Sequence, residues 1–166
     1  MSLRALRHRC AARLRDLTLP DTFSVDAFTT AVADVRGRPV HVLPHRTAGP
    51  CGAWVSTATA DYVFVDESTS GLHRRHILAH ELAHVVFDHG GPDVLAGDVA
   101  ARLLPDVDPS TIERVLQRSS YSTAEEREAE VFASMVLQRM PASAPSSSGS
   151  SQEVRALARS FGAARV

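Results

Sequence analysis

The sequence predicts an α+β fold: a small antiparallel sheet of three strands, packed against a helix bearing His80-Glu81-Leu82-Ala83-His84 and a second helix bearing glutamates. Three observations lead there. Apolar residues recur at helical spacing in four separate stretches, three short β-like runs cluster between residues 40 and 66, and glycine or proline stands between the two kinds of segment.

The elements follow in order. Leu3, Leu6, Cys10, Leu14 and Leu17 form an apolar stripe among arginines, which predicts a first helix over residues 3–17. Ser24 suits an N-cap, and a second helix runs through Phe28, Val32 and Val35 to a stop at Gly37. Residues 39–44, 52–57 and 61–66 are β-like, the first bounded by Pro39 and Pro44. From Leu72 to about His89 the period is helical again, and Gly90-Gly91-Pro92 ends it. Short helices are expected over 99–104 and 110–117. Ser122 or Thr123 caps a strong helix from Ala124 to Arg139, with Thr123 and Glu126 matching a capping box. One domain therefore spans residues 1–140, with its core over 24–140. A Ser/Pro-rich linker follows over 141–151, and a helical tail over 152–166 carries a last helix from Gln152 to Phe161.

Composition narrows the function classes. The formal net charge is −1, so no overall basic field favours direct nucleic-acid binding. All 18 basic residues are Arg, which reads as coding bias, and the arginines of the first helix read as a solvated face. Two cysteines, Cys10 and Cys51, make neither a disulfide framework nor a thiolate metal site; both read as free thiols. No stretch approaches the roughly 20 apolar residues of a membrane helix and the N-terminus has no secretory apolar run, so the expected location is cytoplasmic, away from membranes.

His80 and His84 carry the chemistry. Two imidazoles at i and i+4 are neighbours on one helix face and can grip one metal ion. Glu81 lies about 100° around the helix, off the metal, where it can take a proton from a water that the metal activates. The third ligand is expected from the Ala124–Arg139 helix. There Glu126 and Glu130 share a stripe with Ala129, Ala133 and Leu137, a costly place for carboxylates unless a cation or a donor meets them. Helical phase favours Glu126 as ligand. Glu130 then orients a ligand imidazole, and Glu125 and Glu128 are solvated carboxylates of the first turns. Tyr62 and Tyr121 both remain candidates for an oxyanion-stabilising hydroxyl. His76 reads as partly buried and structural; His41, His45, His73 and His89 read as polar surface.

Two blocks resemble the ImmA/IrrE family of zinc metallopeptidases. Arg75-His76-Ile77-Leu78-Ala79-His80-Glu81-Leu82-Ala83-His84 is similar to that family's Arg-Phe-Thr-Leu-Ala-His-Glu-Leu-Gly-His helix. Glu126-Arg127-Glu128-Ala129-Glu130-Val131-Phe132-Ala133 is similar to its Glu-x-x-Ala-Asn-x-Phe-Ala helix. His76, Ala83 and Glu130 depart from the family pattern, where Phe, Gly and Asn or Asp are usual. The resemblance spans roughly residues 24–140 and implies a zincin-like core, with Zn2+ held by His80, His84 and Glu126 and with Glu81 as general base. It also implies a zinc endopeptidase acting on a protein substrate, a helix-turn-helix repressor being the family's usual target. The competing expectation is a non-hydrolytic metal-binding regulator, or a toxin–antitoxin component, that acts by binding a protein partner.

Overall fold

A computed structural model describes residues 2–45, 52–69, 71–90, 102–117 and 120–141. The order of elements is α1 (Leu3–Asp16), α2 (Val25–Arg36), β1 (Val40–His45), β2 (Gly52–Thr57), β3 (Asp61–Asp66), α3 (Gly71–Phe87), a 3-10 turn (Pro109–Thr111), β4 (Ile112–Gln117) and α4 (Thr123–Arg139). The expected helix at Gln152–Phe161, the linker beyond Pro141, Cys51 and Gly91-Pro92 lie outside the described residues. So does the start of the turn expected over 99–104, of which residues 102–103 are helical.

The fold is α+β as expected, but the sheet is neither three-stranded nor wholly antiparallel. Its order is β1-β3-β2-β4. β2 pairs antiparallel with both β3 and β4, whereas β1 pairs parallel with β3 from Val40–Asp61 to His45–Asp66. β3 therefore sits inside the sheet and β1 at its edge, where Pro44 lacks an N–H without leaving a ladder position unfilled. The fourth strand replaces the helix expected over 110–117. All six residues of β2 are buried, so its second edge needs hydrogen-bond partners that solvent does not supply. Ile112–Gln117 supplies them, and its alternation sends Val115 and Leu116 into opposite faces. Tertiary pairing here outweighs a weak local preference.

Each face of the sheet has its own core. Trp54, Val63, Val65 and Leu116 face the helices and join the main cluster, with Phe28, Leu82, Val85 and Phe132 among its members. Ala53, Val55, Phe64 and Val115 face the other way, covered by Leu103, Leu104 and Val107. Fully burying side chains of this size is worth about 1.5–3 kcal/mol each, so the helical layer carries most of the stabilisation.

Helix ends follow local chemistry. Ser24 caps α2 at the Ala27 amide, and Gly37 closes it with φ of 68°. The capping box of α4 is formed by Ser122 and Glu125, one residue earlier than the Thr123–Glu126 pair expected, which leaves Glu126 out of the cap. α3 ends sooner than expected. Asp88 takes the left-handed conformation (φ 53°), its amide bonds Val85 O, and the His89 amide reaches back to His84 O. That is a Schellman turn with aspartate where glycine is usual. The Asp88 carboxylate accepts from Arg36 (2.9 Å) and Arg114 (2.6 Å), which offsets the conformational cost.

A buried ion cluster ties α2 to the sheet. Asp61 is fully buried and accepts from Arg36 Nε (3.0 Å), Arg38 Nε (2.9 Å) and Trp54 Nε1 (2.9 Å). Replacing Asp61 by Ala leaves two guanidinium groups facing a void. It is expected to cost about 3–5 kcal/mol, read from denaturant unfolding with Trp54, the sole tryptophan, as fluorescent reporter. A second expectation concerns acid. Burial opposes ionisation of Asp88, but the hydrogen bonds from Arg114 and Arg36 hold its carboxyl below the ordinary value of 3.8. The unfolded chain then binds more protons in acid than the folded one. This contribution is complete above 3.8 and is lost as pH falls past the lower folded value. Asp88→Asn should therefore flatten the fall of Tm with pH in that window while lowering Tm at neutral pH.

Candidate metal centre

α3 has an unusual environment for a helix with three titratable groups in one turn: Ile77 to Val86 are all buried. Leu78, Leu82, Val85 and Val86 join the apolar core, as the sequence pattern predicts. On the remaining side the helix meets α4, and the small side chains of Ala79, Ala83, Ala129 and Ala133 are all buried. His80, Glu81 and His84 are 9%, 5% and 0% exposed, so they are withdrawn from bulk water.

The three expected ligands converge. His80 Nε2 and His84 Nε2 face each other at 3.1 Å. Glu126 places Oε2 at 3.5 Å from His80 Nε2 and Oε1 at 3.6 Å from His84 Nε2. Among the described residues this is the His/Asp/Glu group able to hold a metal ion, its donor atoms all within 4.8 Å of one another. Tetrahedral zinc with bonds of about 2.0–2.2 Å puts its ligand atoms about 3.3–3.6 Å apart, so both Glu126 contacts fit such an ion and the His80–His84 contact is slightly shorter. Burial first, then the His80 and His89 rings, pushes the His84 imidazole down to about 2, which keeps it in the neutral form a metal requires.

Glu130 is more exposed than an orienting carboxylate usually is, at 53% of its side chain. Its Oε2 nevertheless lies 3.5 Å from His80 Nδ1 and 3.2 Å from His76 Nε2. His76 is partly exposed, as expected. Of the two tyrosines left open, Tyr121 belongs to the site. Its ring stacks on His84 with centroids 3.6 Å apart. Burial, then Glu81 and Glu126, raises its hydroxyl far above the ordinary value, so it stays protonated. Tyr62 stacks instead on His41 and packs against the other face of the sheet.

Two expectations are overturned. His89 is not polar surface but 5% exposed, with Nδ1 at 2.9 Å from His84 Nδ1 and Nε2 at 3.1 Å from Glu128. Glu128 is not solvated either; it is 4% exposed and pairs with Arg9 of α1 at 2.9 Å. Helical phase does separate Glu128 from the Glu126 stripe, but α1 covers the face on which it lies. Glu125 is spent on the α4 cap and on the Gly90 amide (2.9 Å).

Gly52 is a site residue that no sequence pattern marked. A Cβ there would overlap the Glu81 carboxylate, because the start of β2 runs directly against that side chain. No known family model, curated protein or solved structure matches the chain. What the fold and its geometry define is an α+β protein with a His/His/Glu group spaced for a metal ion.

Gly52→Ala should force Glu81 or β2 to move, at about 1–3 kcal/mol of stability. The ligands are untouched, so metal content should match that of the wild type. Thermal unfolding and elemental analysis of the same preparations read the two effects separately.

Proposed function

We propose that the chain is a zinc-dependent endopeptidase of ImmA/IrrE type. The observation that carries this reading is the convergence of His80, His84 and Glu126 with Glu81 buried on the same turn of α3. The donor set, two imidazoles and one carboxylate, is that of catalytic zinc sites, which keep a fourth position for water or substrate. Bound there, the metal supplies Lewis-acid polarisation of a scissile carbonyl and an activated water.

The remaining roles belong to side chains. Glu81 takes the proton from the attacking water and delivers it to the leaving amine, and burial keeps bulk solvent from competing for it. Tyr121 holds a protonated hydroxyl that is buried and makes no hydrogen bond among the described residues, so it can donate to the carbonyl oxygen as charge develops there. Glu130 lies 3.5 Å from His80 Nδ1, near enough to steady that ring. The substrate in this reading is a protein segment, a helix-turn-helix repressor being the target that the resemblance suggests.

A second reading draws on burial: with His84 fully enclosed and Glu81 almost so, the metal would be closed off and the chain would act by binding a partner. A small hydroxamate separates the two, since it binds an open metal position and ignores a filled one.

The main test pairs two variants. Glu81→Gln should lower peptide hydrolysis by about 10²–10⁴-fold while the protein retains about one zinc per chain. Glu126→Ala should lose the metal as well as the activity. Undiminished hydrolysis by Glu81→Gln, or full zinc content in Glu126→Ala, would overturn the assignment.

A further inference from the structure

We propose that His89, Glu128 and Arg9 form a positioning chain that fixes His84 as a metal ligand through its Nε2 atom. The inference rests on the reading of His84 as a ligand and assigns roles to three residues outside that set.

The geometry starts from α1. Arg9 Nε lies 2.9 Å from Glu128 Oε1, a contact that is electrostatic in character and lacks the alignment of a directed hydrogen bond. Glu128 Oε2 lies 3.1 Å from His89 Nε2, and His89 Nδ1 lies 2.9 Å from His84 Nδ1. His84 Nε2, on the far side of the ring, faces His80 Nε2 and Glu126. Four residues from three elements and one helix-terminal turn thus form an unbroken line ending at the metal-facing atom.

Donor and acceptor arithmetic gives the line a direction. A carboxylate only accepts, and Arg9 lies beside it. Glu128 therefore receives the Nε2 proton of His89. A neutral imidazole that donates from one nitrogen accepts at the other, so His89 Nδ1 takes the hydrogen bond from His84 Nδ1–H. His84 is then left with a bare lone pair on Nε2, aimed at His80 and Glu126. In the opposite arrangement, with His89 donating at both nitrogens, the proton would sit on His84 Nε2 and block the cluster.

Three features show that the line is built into the fold. The Schellman turn at Asp88 brings the His89 amide onto His84 O (3.0 Å) and folds its ring back against the His84 ring. Phe87 stacks on the His89 ring at 5.3 Å, and Arg9 lies over Phe87 at 5.7 Å. Both His89 and Glu128 are almost fully buried, where a carboxylate and an imidazole persist only with satisfied partners. Ligand histidines commonly hold their second nitrogen by such a partner, and losing it costs about 10–100-fold in metal affinity.

The test is zinc affinity, measured by competition with a chromophoric chelator on full-length protein, with circular dichroism and Tm to check folding. His89→Leu should bind zinc about 10–100-fold more weakly than wild type. His89→Gln can accept from His84 through its carbonyl and donate to Glu128 through its amide, so it should recover most of that loss. Glu128→Gln keeps shape and volume but replaces a group that can only accept with one that can also donate, so it no longer dictates the His89 tautomer and should weaken binding to an intermediate degree. Equal affinity in folded His89→Leu and wild type, or equal weakness in His89→Gln and His89→Leu, would overturn the proposal. Should His89→Leu not fold, unchanged affinity in Glu128→Gln overturns it alone. Failure of the wild type to bind zinc would instead refute the metal centre itself, and so is told apart.

Discussion

The structure depends on burying one helix on all sides while that helix carries three titratable groups. Ile77 to Val86 are enclosed without a break, and within them lie His80, Glu81 and His84. Burying a polar group without a partner costs several kcal/mol, so the neighbours of α3 must provide donors and acceptors as well as apolar surface. α4 offers Glu126 and Glu130, the turn after α3 offers His89, and β2 offers a glycine where Glu81 needs room. The same requirement that threatens the core assembles the site.

The rest of the fold serves that enclosure. The sheet forms one wall, with Trp54 and Val63 against the helices, and the Asp61 cluster clamps α2 to the start of β3. α1 is more than an outer cover. Arg13 bonds Val86 O at 2.8 Å, where the last carbonyls of α3 lack helical partners, and Cys10 packs where α1 crosses α4. Burial is the largest factor that raises the Cys10 thiol to about 11, so it is an inert part of the core. Arg4, Arg7, Arg9 and Arg15 of α1 are exposed, as a solvated face requires, yet Arg9 also pairs with Glu128 of α4, and the half-buried Arg13 holds the end of α3.

Some of this was legible in the residues and some was not. The i, i+4 histidines and the glutamate stripe are helix-periodic, and helical periodicity survives folding unchanged, so His80, His84 and Glu126 meet as their spacing predicts. The strand of residues 112–117 carries no comparable pattern. It is a strand because β2 presents an edge that must be paired, which no local sequence states. His89 and Glu128 depart from their sequence expectation for a similar reason: each looks polar and terminal until the tertiary structure buries it.

The sequence alone determined helices α1 to α4 to within a residue or two at each end, the strands β1 to β3 and the spacing that brings His80, His84 and Glu126 together, because short-range geometry governs all of these. Only the tertiary structure decided the parallel pairing of β1 with β3, the fourth strand, the stacking of Tyr121 on His84 and of Tyr62 on His41, and the line from Arg9 through Glu128 and His89 to His84. Those features join residues far apart in the chain. Whether a polar side chain is solvent-facing or load-sharing depends on what packs over it, and that is fixed only when the layers close.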